Sequence, residues 1–178
     1  MQRRSSRSLL IIIALTLFFV TLLVGAIAFK PRPLLIWNAS DSVRIGLYFV
    51  DKRQPKIGEI AVIAPSDWVR LYASERGYLP ADVWLLKPVF AVEGSMVCRL
   101  GHFIFVDGKL VVRAKNFDRN QRLLPVWKGC RTLKIDEVFV LAHPKNSFDS
   151  RYFGPINRRQ VIGTAFRVAL DCVKIREV

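Results

Sequence analysis

The stretch VWLLKPVFAV, residues 83–92, is an apolar run with a single cation, Lys87, at its centre. Its branched and aromatic residues favour a β-strand. Burial in such a strand disfavours the charged form of a lysine and lowers its pKa from about 10.4 toward the range of about 7 to 8 that suits a general base. The alternative is a structural lysine that snorkels to the surface or blunts an edge strand. Position in the sequence alone favours this structural alternative.

Strand-like runs recur on both sides of this stretch, which predicts a mainly β domain. The clearest is HFIFVDGKLVVRA, residues 102–114, because Asp107-Gly108 between two β-rich segments is typical of a two-residue hairpin turn with positive φ. The other runs are IGLYFV from Ile45, GEIAVIA from Gly58, EVFVLA from Glu137 and VIGTAFRVAL from Val161.

One helix is predicted at SDWVRLYASERG, residues 66–77, with Ser66 as its N-cap and Gly77 ending it. One face of this helix carries Trp68, Leu71 and Tyr72. Residues 114–133 have mixed charge and little periodicity, which indicates a long loop or an insertion.

The N-terminal part contains an apolar segment, residues 9–29, of 21 positions without a charge. At about 1.5 Å per residue a helix of this length spans a hydrocarbon core of about 30 Å, so we predict a transmembrane anchor. Arginines within residues 1–8 favour a cytoplasmic N-terminus, with residues 30–178 on the other side of the membrane. A cleaved signal peptide is the alternative, because AIA at residues 26–28 resembles a cleavage site, but the apolar run exceeds the usual signal-peptide length.

The chain is strongly basic, with a formal net charge of +14. Beside a membrane, such a charge suits anionic lipid headgroups or an acidic partner as well as it suits nucleic acid. The sequence contains no zinc-finger spacing, RRM signature or helix-turn-helix pattern, so no direct nucleic acid binding is expected.

The three cysteines are Cys98, Cys130 and Cys172, and no two of them form a CxxC pair. This spacing indicates neither a metal site nor a thioredoxin-like motif. An oxidising compartment would permit one disulfide, and the sequence leaves open which pair forms it.

A lysine base requires a nucleophile, and NASDSVRIGLYFV, residues 38–50, offers Ser40 and Ser42 before a strand. Hydroxyl groups in such turns usually serve as caps. A Ser-His-Asp arrangement with His143 and Asp149 is the rival mechanism.

Three separated stretches, NASDSVRIGLY (38–48), LLKPVFAVEGSMV (85–97) and NSFDSRYFGP (146–155), together resemble the type I signal peptidase family. The closer resemblance is to its conjugal-transfer pilin-processing branch, the TraF-like peptidases. It implies a signal-peptidase-like β catalytic domain behind one N-terminal transmembrane helix, with no cofactor and no metal.

The resemblance also implies a Ser-Lys dyad, with Ser42 as nucleophile and Lys87 as general base. It implies an oxyanion site formed by the backbone N–H of Ser42 and the hydroxyl of Ser40. Among the residues that support the dyad, Ser147 is expected to hydrogen-bond the lysine. An ion pair between Asp149 and Arg151 is expected to hold the last motif beside the dyad.

The resemblance implies a serine endopeptidase anchored in a bacterial inner membrane, with its catalytic domain in the periplasm. Its expected partner is an exported pilin-like or signal-peptide-bearing precursor, released by hydrolysis or cyclised. A general type I signal peptidase and an inactive envelope binding component remain the alternatives. The chain departs from the family pattern at Arg44, where the pattern has proline, and at Glu59 and Ser95, where it has aspartate.

Overall fold

The computed structural model describes residues 3–28 and 35–168, in two compact units, Met1–Pro33 and Leu34–Val178. The first unit consists of helix α1, Arg3–Ala28, whose described side chains are exposed. Within residues 3–28 and 35–168, no helix combines the length and the apolarity of a membrane span. Residues 29–34 and Cys172 lie outside the described residues.

The second unit is built on two antiparallel sheets, in keeping with the predicted mainly β fold. In spatial order, the larger sheet contains β1 (Leu35–Asn38), β2 (Gly46–Asp51), β11 (Val161–Arg167), β3 (Ile60–Ile63), β4 (Leu85–Ala91), β9 (Glu137–Val140) and β10 (Ile156–Asn157). The smaller sheet contains β7 (Lys109–Arg113), β6 (Phe103–Val106), β5 (Met96–Leu100) and β8 (Gly129–Thr132). Helices α2 (Asp67–Glu75) and α3 (Ser150–Phe153) and a 3-10 turn (Arg158–Gln160) complete the unit.

Strand β4 lies inside the larger sheet, between β3 and β9. Its side chains enter different core clusters, because Leu85 and Val89 pack in one and Leu86 in another. Lys87 is paired with Ala61 of β3 and is only 4% exposed. The interpretation of Lys87 as an edge-strand or snorkelling lysine is therefore wrong, since β4 is paired along both edges and the Lys87 side chain is buried.

The predicted hairpin and helix are present. Asp107 and Gly108 have φ of 49° and 76° and connect β6 to β7, as their turn chemistry requires. Helix α2 begins directly after Ser66, although the Ser66 side chain makes no capping hydrogen bond. The buried face of α2 carries Val69 and Ala73. Of the three residues that the sequence placed on one face, Trp68 and Leu71 are exposed.

The prediction of a long loop at residues 114–133 is wrong for its last part, where Gly129–Thr132 forms β8 against β5. All four residues of β8 are exposed. A strand with no buried face has no reason to alternate apolar and polar residues, so the pattern that reveals strands was missing.

A disulfide joins Cys98 of β5 to Cys130 of β8. The two residues are direct partners in the strand register, with their Cα atoms 4.0 Å apart. The pairing depends on β8, which the sequence does not reveal, so only the structure identifies which cysteines meet.

We expect this disulfide in the purified, air-oxidised protein. Alkylation under denaturing conditions should add two more labels after reduction than before it, as read by intact mass. The double variant Cys98→Ser/Cys130→Ser should lose that difference and about 2 to 4 kcal/mol of unfolding free energy, because the cross-link restricts the unfolded chain. Equal labelling of the native protein before and after reduction would contradict the assignment.

Candidate active site

Three side chains from distant parts of the sequence meet beside β4. The Lys87 Nζ donates to Ser42 Oγ at 2.5 Å and to Ser147 Oγ at 2.8 Å. The two serine hydroxyls lie 3.3 Å apart. Ser42 comes from the turn after β1, and Ser147 from the loop before α3. The arrangement places a serine hydroxyl and a lysine amine at hydrogen-bond distance, which is the geometry that nucleophilic catalysis by a serine requires.

The turn that carries Ser42 is held together by Asn38, the last residue of β1. Asn38 is only 7% exposed, and the two N–H groups of its Nδ2 are shared among three carbonyl oxygens within hydrogen-bond distance. These belong to Ser40 at 2.8 Å, Val43 at 3.0 Å and Arg44 at 3.1 Å. One side chain thereby fixes the backbone on both sides of the nucleophile.

Sequence reasoning quoted Asn38 as the first residue of a motif but assigned it no role. The departure at Arg44 is compatible with this turn, since its bond to Asn38 uses the backbone carbonyl, which proline also has.

Ser40, predicted to help stabilise the oxyanion, is exposed, and its hydroxyl donates to Asn38 Oδ1 at 3.0 Å. Its backbone N–H donates to the same oxygen at 3.3 Å. A hydroxyl carries one proton, so Ser40 must release Asn38 before it can donate to an oxyanion. Its oxyanion role stays a prediction.

The predicted ion pair between Asp149 and Arg151 is present and fully buried. It is bidentate, with Arg151 Nε 2.7 Å from Asp149 Oδ1 and Nη2 2.8 Å from Oδ2. Both partners also bind the backbone of Ala142, just after β9, through its N–H at 3.0 Å and its carbonyl at 2.5 Å. The pair therefore attaches the loop that carries Ser147 to the larger sheet.

A second buried cation, Arg99 of β5, binds the same loop from the smaller sheet. It is 1% exposed, and its Nη1 donates to the carbonyls of Arg151 at 2.6 Å and Pro125 at 3.1 Å. Burial lowers the pKa of Arg99. Sequence reasoning missed this residue, because an arginine in a short strand of mixed character carries no signal of burial.

The environment of Lys87 shifts its protonation toward the neutral amine. Burial lowers the pKa of Lys87, Asp149 opposes this effect and Arg151 adds to it, and together they place the pKa at about 8. At pH 7 about one lysine in ten is then neutral. This agrees with the range expected of a general base in an apolar strand.

The rival Ser-His-Asp arrangement is not formed. His143 is exposed, and the Asp149 oxygens are engaged by Arg151 and by the Ala142 backbone. Each carboxylate oxygen thus serves the ion pair instead of orienting a histidine.

The three side chains open onto a cleft of about 1070 Å³. Residues of the turn after β1, of β4 and of the 115–124 loop line it. Within residues 3–28 and 35–168, no group of histidine, cysteine or acidic side chains is arranged to hold a metal ion. The cleft has about the volume of a ligand-binding pocket and carries an amine and two hydroxyls on its surface.

Comparison with known proteins adds the family. The protein-family model described as "Signal peptidase, peptidase S26" matches residues 5–170 of this chain. The Plasmid transfer protein TraF of Escherichia coli is 32% identical over 136 residues, 70% of this chain and 77% of that protein. A Probable conjugal transfer protein TraF of Sinorhizobium fredii is 32% identical over 143 residues, 74% of each chain. A solved signal peptidase I from Enterococcus faecalis matches with a TM-score of 0.35 at 18% identity, over 64% of this chain and 98% of that one. From the family match and the extent of these identities, the chain belongs to the peptidase S26 signal peptidase family, in the branch that contains the TraF plasmid transfer proteins.

Proposed function

We propose that the protein is a serine endopeptidase with a Ser42-Lys87 dyad. The observation that carries this proposal is the hydrogen bond of 2.5 Å between Lys87 Nζ and Ser42 Oγ, at a lysine whose pKa burial lowers to about 8. A lysine with an ordinary pKa would be almost fully protonated at neutral pH and could not accept the serine proton.

The reaction begins when the neutral Lys87 amine accepts the Ser42 hydroxyl proton and Oγ attacks the scissile carbonyl carbon. The bond from Lys87 to Ser147 orients the amine during this transfer. The oxyanion is stabilised by the Ser42 backbone N–H, joined by the Ser40 hydroxyl once it leaves Asn38. The C–N bond then breaks, and protonated Lys87 gives its proton to the leaving amine. An ester at Ser42 remains, which water hydrolyses or an amine converts to a new peptide bond.

We further propose that residues 9–29 anchor the enzyme in a bacterial inner membrane, with the second unit in the periplasm. The uncharged run of 21 residues and the arginines before it support this orientation. The disulfide between Cys98 and Cys130 is also in keeping with an oxidising compartment. A tethered enzyme meets membrane-bound precursors at a raised local concentration.

The proposed substrate is a pilin-like precursor exported for conjugation. The support is the similarity to proteins named for plasmid and conjugal transfer. A general signal peptidase would instead process many unrelated precursors, and an inactive binding component would process none, so substrate range and dependence on the dyad separate the three functions.

Processing of a candidate pilin precursor should depend on the dyad. In co-expression, intact mass should show shortening by the native protein and none by Ser42→Ala or Lys87→Ala, since loss of a nucleophile or base costs about 10⁴-fold or more. Further loss of one water from the shortened product would identify cyclisation. His143→Ala should process normally, because this exposed side chain lies outside the dyad. Shortening that persists in both dyad variants would contradict the proposed mechanism.

Activity should rise with pH as Lys87 loses its proton. Below about pH 8, the single-turnover rate should increase about tenfold per pH unit and then level off, because only the neutral amine is a base. A rate that does not change between pH 6 and pH 9 would contradict the role of Lys87.

The same burial should make Lys87 destabilising. Its pKa is lower in the folded than in the unfolded chain. The free-energy cost of burying the charged ammonium is therefore fully present below about pH 8 and disappears as pH rises toward 10.5. Lys87→Met should therefore raise the unfolding free energy at pH 7, by at most about 3 kcal/mol, and by less at pH 10. Chemical denaturation at both pH values measures this, and a gain that grows with pH would contradict it.

Asn38→Asp should lower kcat by about 10²-fold with little change in KM, since a misplaced nucleophile slows the chemical step. The substitution keeps the shape of the side chain but sets a carboxylate oxygen against three carbonyl oxygens. Gln54→Glu, the same amide-to-carboxylate change at an exposed residue outside the cleft, is the matched control. Circular dichroism checks that both variants fold, and a kcat for Asn38→Asp equal to that of the control would show that the turn does not depend on this amide.

A further inference from the structure

The active-site cleft carries an excess of positive charge apart from the base itself. One wall is the segment Lys115–Arg122, which we name the cationic wall. Besides Lys87, the charged residues that line the cleft are the cations Arg76, Lys115, Arg119 and Arg122 and the anions Asp41 and Asp118. Four cations thus face two carboxylates.

The carboxylate of Asp118 is already engaged by neighbouring side chains of the protein. Its side chain is 6% exposed and accepts from Tyr78 Oη at 2.5 Å and from Arg122 Nε at 2.7 Å, with Arg76 Nη1 at 3.8 Å. Burial raises the pKa of Asp118, but hydrogen bonds from Tyr78 and Arg122 outweigh it and hold the pKa well below its usual range. Asp118 is therefore ionised, holds the loop in place and neutralises one of two arginines.

Lys115 and Arg119 have no such partner in the part of the chain that the structure describes. Both are exposed, and neither forms an ion pair there. The Lys115 Nζ donates to Asn146 Oδ1 at 2.6 Å, and Asn146 precedes Ser147, which contacts Lys87. A cation is thereby held in the cleft by the residue next to Ser147, the hydrogen-bond partner of Lys87.

We propose that the cationic wall is a subsite for a carboxylate of the peptide substrate, with Lys115 as its principal contact and Arg119 as its second. The inference rests on the proposed function, because it gives that cleft a substrate preference. An acidic side chain near the scissile bond fits two cations that lack carboxylate partners, and binding it desolvates little, since both groups face the open cleft. Exposed pairs of this kind change affinity by up to about fivefold each.

The test measures binding without catalysis. Full-length protein carrying Ser42→Ala, in detergent micelles, is titrated with dye-labelled, alanine-rich peptides whose C-termini are amidated. One series carries a single glutamate at each position in turn, and a second carries glutamine at the same positions. A third peptide has glutamine and a free C-terminal carboxylate, which distinguishes a side chain from a chain terminus as the bound group. Fluorescence anisotropy gives each Kd.

We expect glutamate, or the free terminus, to bind about fivefold more tightly than the glutamine peptide at one or two positions only. Adding Lys115→Gln should remove this preference, whereas Lys109→Gln, an exposed lysine of β7 outside the cleft, should leave it unchanged. The subsite is overturned if glutamate and glutamine bind equally at every position, if no peptide binds, or if both lysine variants behave alike. Cleavage by the Ser42 protein is assayed separately, so failure of the chemistry and failure of the subsite are distinguishable.

Discussion

The burial of Lys87 in an interior strand is the constraint on which the rest of the site depends. A lysine that is 4% exposed and formed no hydrogen bond would greatly reduce the free energy of unfolding. The structure gives Lys87 two hydroxyl partners, Ser42 and Ser147. These partners come from opposite ends of the domain sequence. The amine is thus kept at the pKa of a base by the same apolar strand that fixes its position, and the surrounding contacts serve to bring two serines to it.

Two separate sets of polar contacts hold those serines in position. Asn38 fixes the Ser42 turn through backbone carbonyls, while the Asp149–Arg151 pair, bound to Ala142 and Arg99, fixes the loop of Ser147. Buried ion pairs contribute little to the net stability of a protein. Removal of one partner nevertheless leaves the other charge buried and unpaired, which lowers the unfolding free energy by about 3 to 5 kcal/mol. The main role of the Asp149–Arg151 pair is therefore to fix the geometry of the loop, in the arrangement in which Ser147 faces Lys87.

The sequence predicted the parts of this structure whose signals are local. The Asp107-Gly108 hairpin follows from turn chemistry, and the motifs that contain Ser42, Lys87 and Ser147 follow from resemblance. Strand β8 and the role of Asn38 could not be predicted, because an exposed edge strand has no alternating pattern and an amide gives no sign of which carbonyls it will meet. The local pattern around Lys87 even favoured the wrong interpretation, since an edge and an interior strand differ only in neighbours that come from elsewhere in the chain.

In the proposed mechanism, the charge of the cleft bears on how an acyl-enzyme at Ser42 would be resolved. Because Lys87 is buried, whatever attacks that ester would reach it through the cleft, whose lining includes Lys115 and Arg119. Water carries no charge and is unaffected by these cations. A protonated N-terminus is repelled by them, but the same repulsion lowers its pKa from about 8 and increases the neutral, nucleophilic fraction. On this proposal the cationic wall would discriminate between protonation states more than between water and amine, so cyclisation would require a substrate whose N-terminus is delivered by its own binding contacts.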